Sequence, residues 1–345
     1  MAYQQRLEIV MSDRSSSSHA WWKALFRLQE TGLFLGVAAV LGVIYLSSAR
    51  DSFYSPYSLQ DMLHQIALFG VLSLGAAIVI IAGGIDLSVG SVVALSSVVA
   101  ARLMRDWLPA LWLGAAPPQT ALVGLTLVVT LSAGFLIGVF HAFLINQIRL
   151  PPFIATLATL AGLRSVARLI SLSQPIGITS DLFIKLGNDT TFTVAIFSVL
   201  AIILSVVMGM TVLGRHLYAL GGNEAAARLS GLRVPRLKLI AYGLSGLSAA
   251  LGGILFAGST GQGDGNLGIG YELWAITAAV VGGCSLSGGA GSIRGTVLGL
   301  VLVQIVIKGT GQFKWGVSST EVEGLVLGTV VVLAVAFNQR NNKSS

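Results

Sequence analysis

The sequence predicts an all-α polytopic membrane protein: a bundle of about ten transmembrane helices with glycine-broken segments and a possible internal repeat. Three observations predict it. Only 10% of the 345 residues are charged while 54% are hydrophobic, and the mean hydropathy is +0.83. A soluble domain carries about a quarter charged residues. Apolar runs of the ~20 residues needed to cross a hydrocarbon core recur along the chain. The 42 glycines suit helices whose backbones pack closely in lipid, and would cost a soluble helical protein much of its propensity.

Taken in order, residues 1–30 read as a polar, Ser-rich cytoplasmic tail closing in an interfacial segment from Trp21 to Gln29. Arg6, Asp13 and Arg14 break any signal-peptide core. The membrane domain covers residues 31–338, and 339–345 form a short cytoplasmic tail. The expected spans are 31–48, 61–82, 88–104, 119–146, 151–172, 192–213, 239–258, 272–289, 293–312 and 320–338. The runs 119–146, 192–213 and 239–258 contain no Lys, Arg, Asp or Glu, whereas 88–104 and 272–289 are short and interrupted by glycine.

With both termini inside, 13 of the 21 basic residues fall on the cytoplasmic side, as the positive-inside rule favours. That pattern accounts for the net charge of +7 better than nucleic-acid binding does. Five of the 13 lie in one loop, 214–238. Within it, Asn223 is placed to cap a short helix, Glu224 complements its N-terminal dipole, and Arg228 follows Glu224 by one turn. Gly231 and then Pro235 end it. Ala225, Ala226 and Leu229 make a small apolar knob. An ordinary connector and a docking helix both fit this pattern, and the clean delimitation favours docking into another protein's groove.

The stretch GGIDLSVGS at 83–91 has a counterpart, GGCSLSGGAGS, at 282–292. Each sets Gly-Gly before a Leu-Ser step: Gly83 and Gly84 with Ser88, Gly282 and Gly283 with Ser285. Unwound backbone at membrane depth is tolerated only when buried in protein or lining a wet cavity. Paired glycine-broken spans therefore point to transport proteins built from repeats, with close helix packing as the plainer reading. Asp86 is read first as a cap for the span starting near Ser88, and second as a pathway contact. Gln304 and Lys308 share a face of the ninth span; Gln304 is a candidate pathway residue, while Lys308 suits snorkelling to the interface. Glu272 reads as an interfacial cap. Arg164 and Arg168 read as lipid or intersubunit contacts, and His141 as a hydrogen-bonding group. Asn188-Asp189-Thr190 is an incidental sequon.

No phosphate-binding loop, nucleophile elbow or H-E-x-x-H helix occurs, so no catalytic, cofactor-binding or metal residue is assigned. The lone Cys284 excludes an intrachain disulfide framework or a Cys metal cluster, and the four histidines have no ligand spacing. Any ATP used is hydrolysed by another chain.

The chain resembles the permease subunits of ATP-binding-cassette sugar importers of the ribose, arabinose, xylose and galactose type. The matching pieces are AGGIDLSVGS (82–91), LPPFIATLATLAGLRS (150–165), QPI (174–176), GRHLYALGGNEAAARLSGL (214–232), SGLSAALGGILFAG (245–258) and VVGGCSLSGGAGSIRGTVLG (280–299). They stand in the family's order over roughly residues 30–338. The resemblance implies a dimeric permease, with itself or a paralogue, in the bacterial inner membrane. Two cytoplasmic ATPases would drive it, and a periplasmic or lipid-anchored sugar-binding protein would feed it. It also implies that the 223–231 helix couples to the ATPase. Many relatives have Asn-Gly where this chain has His141-Ala142, and loop 259–271 and the polar tail also depart from the family pattern. The alternative is a stand-alone ion-coupled secondary transporter. That mechanism expects midplane carboxylates, and the chain offers Asp86 and Glu272, both at span ends.

Overall fold

The structure, a computed structural model, describes residues 28–111 and 118–312, together with residues 322, 324–329 and 332. The predicted tail 1–30, the span 320–338 and the tail 339–345 fall wholly or largely outside the described residues.

The chain begins with α1 (Leu28–Leu46) and the single turn α2 (Arg50–Phe53). Helix α3 (Pro56–Ile81) starts where Ser55 accepts the Ser58 N–H and Pro56 presets the first turn. Helix α4 (Val89–Arg102) continues through a π-helical turn, Leu103–Trp107, into α5 (Leu108–Leu111). Then come α6 (Gln119–Asn146), α7 (Pro152–Ser171), strand β1 (Ile176–Gly177), α8 (Asp181–Asn188) and α9 (Thr190–Met210). They are followed by α10 (Val212–Gly222), α11 (Glu224–Leu229), α12 (Val234–Thr260), strand β2 (Gln262–Gly263), α13 (Tyr271–Val281) and α14 (Ile293–Gly311). The two strands pair antiparallel, Ile176 opposite Gly263.

Among the described residues, six helices are long and apolar enough to cross a membrane: α3, α6, α7, α9, α12 and α14. They correspond to six of the predicted spans. Three boundaries need correction. The span predicted at 272–289 ends at Val281, and its 11 residues rise only ~16 Å, about half a hydrocarbon core. The span predicted from 239 begins at Val234, because Pro235 sits in the first turn and opens α12 instead of closing the preceding helix. The first part of the supposed loop 214–238, residues 214–222, is helix α10, capped by the Thr211 hydroxyl and anchored by buried Leu217 and Leu220. Within that stretch the apolar residues, 217–220, are consecutive and flanked by glycines and polar groups, so they gave no periodic stripe to read.

Helices α3 and α12 form the centre. The most apolar 18-residue stretch of α3 is 94% buried, against 17% for α7 and 22% for α9, which turn most of their surface outward. Helix α12 packs along α6, α4 and α3. Its contact with α6 has the backbones almost touching: a Cβ on Gly138 would overlap the Tyr242 carbonyl. Such small-residue contacts hold helices together where lipid supplies no hydrophobic drive.

The two predicted glycine breaks share one geometry. At the end of α3, Gly83 has φ +82°, its N–H bonds the Ile80 carbonyl, and the Gly84 N–H bonds Val79, both at 2.9 Å. At the end of α13, Gly283 has φ +94°, its N–H bonds Val280, and the Cys284 N–H bonds Ala279, again at 2.9 Å. Both are Schellman caps, in which a left-handed residue lets the chain turn back on the last carbonyls. The equivalent residues are therefore Gly83 and Gly283, the first glycine of one pair and the second of the other. This shifts by one the alignment that the Gly-Gly spelling suggests.

Candidate functional site

The surface helix α11 forms as its sequence dictates. Asn223 Oδ1 accepts the Ala226 N–H at 2.9 Å, and Arg228 pairs with Glu224 at 2.9 Å. The helix ends at Gly231 (φ +82°), where the Leu232 N–H returns to the Ala227 carbonyl at 3.1 Å. Ala225, Ala226 and Leu229 are exposed, Leu229 at 90%, while Ala227 is buried and faces inward. One partner was not legible: Lys238, on the first turns of α12, pairs with Glu224 at 2.8 Å. Burial opposes the charged form of Glu224, but hydrogen bonds from Lys238 and Arg228 prevail and hold its carboxyl below the usual range. Helix α11 is thus pinned to α12 on one side and presents an apolar knob on the other.

Asp86 lies deep in the bundle. It is 3% exposed, and its Oδ1 accepts the Ser88 N–H at 2.9 Å and the Ser88 hydroxyl at 2.6 Å. Its Oδ2 accepts the Ser245 hydroxyl, from the middle of α12, at 2.7 Å. The expected cap for α4 is corrected in part. Ser88 is the residue before the helix, and Asp86 turns the chain two residues earlier while tying it to another helix. Three donors satisfy a buried carboxylate that would otherwise be very costly.

Around it stand further buried polar groups. The Thr156 hydroxyl of α7 donates to the Ile85 carbonyl at 3.2 Å. His141 of α6 is fully buried, meets Thr159 through Nε2 at 2.7 Å, and sets its ring edge-on to Tyr242 of α12 at 6.2 Å. His141 Nδ1 has no hydrogen-bond partner among the described residues. Sequence reading gave His141 the right role. It had no means of finding Ser245, which lies 159 residues from its carboxylate.

Beyond Thr260 the chain turns at Gly261 and descends into the bundle. Arg164 of α7 donates to the carbonyls of Leu267 and Gly268 at 2.8 and 3.1 Å, and Arg168 donates to Asn266 Oδ1 at 3.0 Å. Those arginines clamp a loop of their own chain, a role that the sequence reading, which expected a lipid or intersubunit contact, did not find. Gly268 and Glu272 close against Gly90, so the N-termini of α4 and α13 meet inside the protein. Glu272 does lie in the first turn of its helix, but at this internal junction instead of an interface. Ser285 is buried and accepts the Ser287 N–H through its hydroxyl, closing the 284–291 loop on itself. Gln304 is buried in α14, its Nε2 unpartnered among the described residues, and no hydrogen bond joins it to either break. Lys308, expected to snorkel, forms an ion pair with Asp61 of α3.

Three elements converge at the C-terminal end of α3. Gly83, Gly221 of α10, and Gly288 and Gly289 of the 284–291 loop stack backbone on backbone, and the Gly289 N–H donates to the Ile81 carbonyl at 2.9 Å. Tyr218 of α10 donates to the Gly291 carbonyl at 2.9 Å. The structure thus brings Gly83 to the 284–291 loop and leaves Asp86, Ser88 and Gln304 elsewhere.

Comparison with known proteins agrees with this architecture. Residues 58–335 match the family model described as branched-chain amino acid transport system / permease component. The ribose import permease protein RbsC of Bacillus subtilis is 35% identical over 321 residues, 91% of this chain and 94% of that protein. The galactose/methyl galactoside import permease protein MglC of Escherichia coli is 32% identical over 90% of this chain and 94% of its own length. The fructose import permease protein FrcC of Rhizobium meliloti is 31% identical over 97% and 95%. No solved structure matches the chain. A helical membrane protein with broken helices at its centre and a match over most of its length, this chain belongs to the family of transport-system permease components.

Proposed function

We propose that the chain is the membrane permease of an ATP-driven importer for a monosaccharide, a ribose-like pentose or a hexose. The sugar import permeases to which it is similar support the substrate class. The observation that carries the mechanism is α11, a short helix locked to α12 through Glu224 and Lys238 while Leu229 stands almost fully exposed. An apolar knob on a rigid mount suits a groove on a cytoplasmic ATPase, which would supply the ATP hydrolysis for a chain whose sequence carries no phosphate-binding loop. In this reading the assembly is a dimer of permeases in the inner membrane, with both termini cytoplasmic. Together with α1, the broken spans α4 and α13 and the predicted span 320–338, the six long helices would make a ten-segment bundle with an internal repeat, which the twin caps at Gly83 and Gly283 support.

A sugar-binding protein would deliver substrate at the opposite end, about 37 Å along α3. There a cavity of about 560 Å³ is lined by Gln60, Asp181, Lys185 and Asp189. Affinity for the sugar would reside in the delivering protein, so few polar side chains need line the path. The ion-coupled alternative needs a carboxylate free to take up a cation; Asp86 is engaged by three internal donors, which leaves Glu272, whose Oε2 has no hydrogen-bond partner among the described residues, as the group it would have to use.

The test is reconstitution in proteoliposomes with a co-expressed sugar-importer ATPase and sugar-binding protein, using ribose, galactose and fructose as probes. Sugar-stimulated ATP hydrolysis with uptake is expected for one of them. Uptake by this chain alone under an ion gradient would overturn the reading. Glu224→Lys combined with Ala226→Asp is expected to abolish ATPase co-purification while membrane insertion persists; unchanged co-purification would make α11 only a connector.

A further inference from the structure

The glycine contact at the C-terminal end of α3 points to a mechanical role, and the inference rests on the docking role proposed for α11. Helix α10 leads into α11 with a single residue, Asn223, between them. At its last turn, a Cβ on Gly221 would overlap the Ile81 carbonyl oxygen and lie 2.5 Å from the Gly289 nitrogen. A Cβ on Gly288 would lie 2.6 Å from the Gly221 oxygen and 2.7 Å from the Gly83 Cα. Real Cβ atoms do not approach backbone so closely, so three segments are in direct main-chain contact with no side chain between them. Two hydrogen bonds cross the same junction independently of the packing: Gly289 N–H to Ile81, and Tyr218 hydroxyl to Gly291.

This arrangement differs from ordinary helix packing in what it can transmit. Side chains between two helices can change rotamer and absorb a small displacement. Main chain in van der Waals contact cannot, because close-packed interiors resist compression and pass strain onward. A push on α11 moves α10, and α10 bears on the end of α3 and on the 284–291 loop together. The α3 end continues directly through Gly83 and Gly84 to Asp86, which is fastened to α12. We infer that Gly221 is a positioning residue for transport: its missing side chain makes α10 a stiff link that conveys movement of α11 simultaneously to both helix breaks.

The neighbouring residue supplies the control. A Cβ on Gly222 would meet nothing within 4 Å, so Gly222→Ala adds a methyl to the same turn without separating the segments. Gly221→Ala must part them. The first readout uses the purified chain alone, by hydrogen exchange in detergent. The Gly289 amide is expected to exchange at least ten-fold faster in Gly221→Ala and at the unaltered rate in Gly222→Ala. The second uses the full complex with its ATPase and binding protein. Gly221→Ala is expected to co-purify with the ATPase and keep basal hydrolysis, while sugar uptake per ATP falls at least ten-fold; Gly222→Ala is expected to transport normally. Tyr218→Phe, which removes one crossing bond and adds no bulk, is expected to reduce that ratio about three-fold.

Normal coupling in Gly221→Ala, or equal loss in both alanine variants, would overturn the inference. Failure of the unaltered complex to couple sugar to ATP would instead overturn the functional reading beneath it. The exchange result would still report whether the junction is tight.

Discussion

At the scale of single residues, Asp86 shows how a charge is housed in an apolar bundle. Its two oxygens take three hydrogen bonds from Ser88 and Ser245, and bonds to a buried charge contribute about 1.5–3 kcal/mol each. Ser245→Ala removes the one bond that crosses between segments. It is expected to destabilise the protein by about 2 kcal/mol, seen as a lower midpoint of thermal unfolding in detergent. A midpoint within error of the parent protein would mean that the carboxylate is held by its own turn alone. The aspartate and its turn were legible in IAGGIDLSVGS, because an Asx turn is a local event governed by residues two apart. The Ser245 partner was not, since nothing local distinguishes it from other serines of its helix.

At the scale of elements, α11 was almost fully legible: cap, ion pair, stop and exposed face all follow from spacing along residues 223–231. Asn223→Ala is expected to cost about 1 kcal/mol of local helix stability. A spin label on a Leu229→Cys variant would report it as increased mobility. The Glu224 carboxyl, held below the usual range, also makes the element respond to acid. A depressed value means that its bonds to Lys238 and Arg228 stabilise α11 at any pH above the ordinary carboxylate range. That contribution is lost as pH falls through the depressed value, where Glu224 takes up a proton. Label mobility should therefore stay flat from pH 8 to about 5 and rise only below the ordinary range near 4.3. In Lys238→Met the rise should begin at higher pH. Helix α13 is the opposite case. Its apolar composition predicted a full span, but helix length is set by where the chain can turn, and Gly283 turns it after 11 residues.

At the scale of the whole molecule, the bundle is organised around two buried helices, α3 and α12, with α6 seated on α12 through glycine. Gly138→Val would wedge that contact open, so sharply reduced yield of folded protein is expected by size-exclusion chromatography. A monodisperse variant at parental yield would show that α6 can shift without cost. The arrangement also sets sidedness. Asn266 lies on the loop descending from the end of α12, and Leu229 at the opposite end of the bundle. Asn266→Cys and Leu229→Cys are each expected to react with a membrane-impermeant maleimide, from opposite faces of the membrane. Labelling of both from one face would refute the topology.

The sequence by itself determined that this is a helical membrane protein, where most spans lie, that α11 forms and points outward, and that two glycine pairs interrupt the bundle. Each of those follows from composition or from spacing within a few residues, where hydropathy, capping and backbone freedom act locally. Only the tertiary structure decided that Asp86 is held by Ser245, that Arg164 grips the Gly268 loop, and that Gly83, Gly221, Gly288 and Gly289 come together. Those contacts join residues far apart in the chain through hydroxyls, carbonyls and bare backbone. Such groups leave no periodic signature, so their partners exist only once the helices have packed.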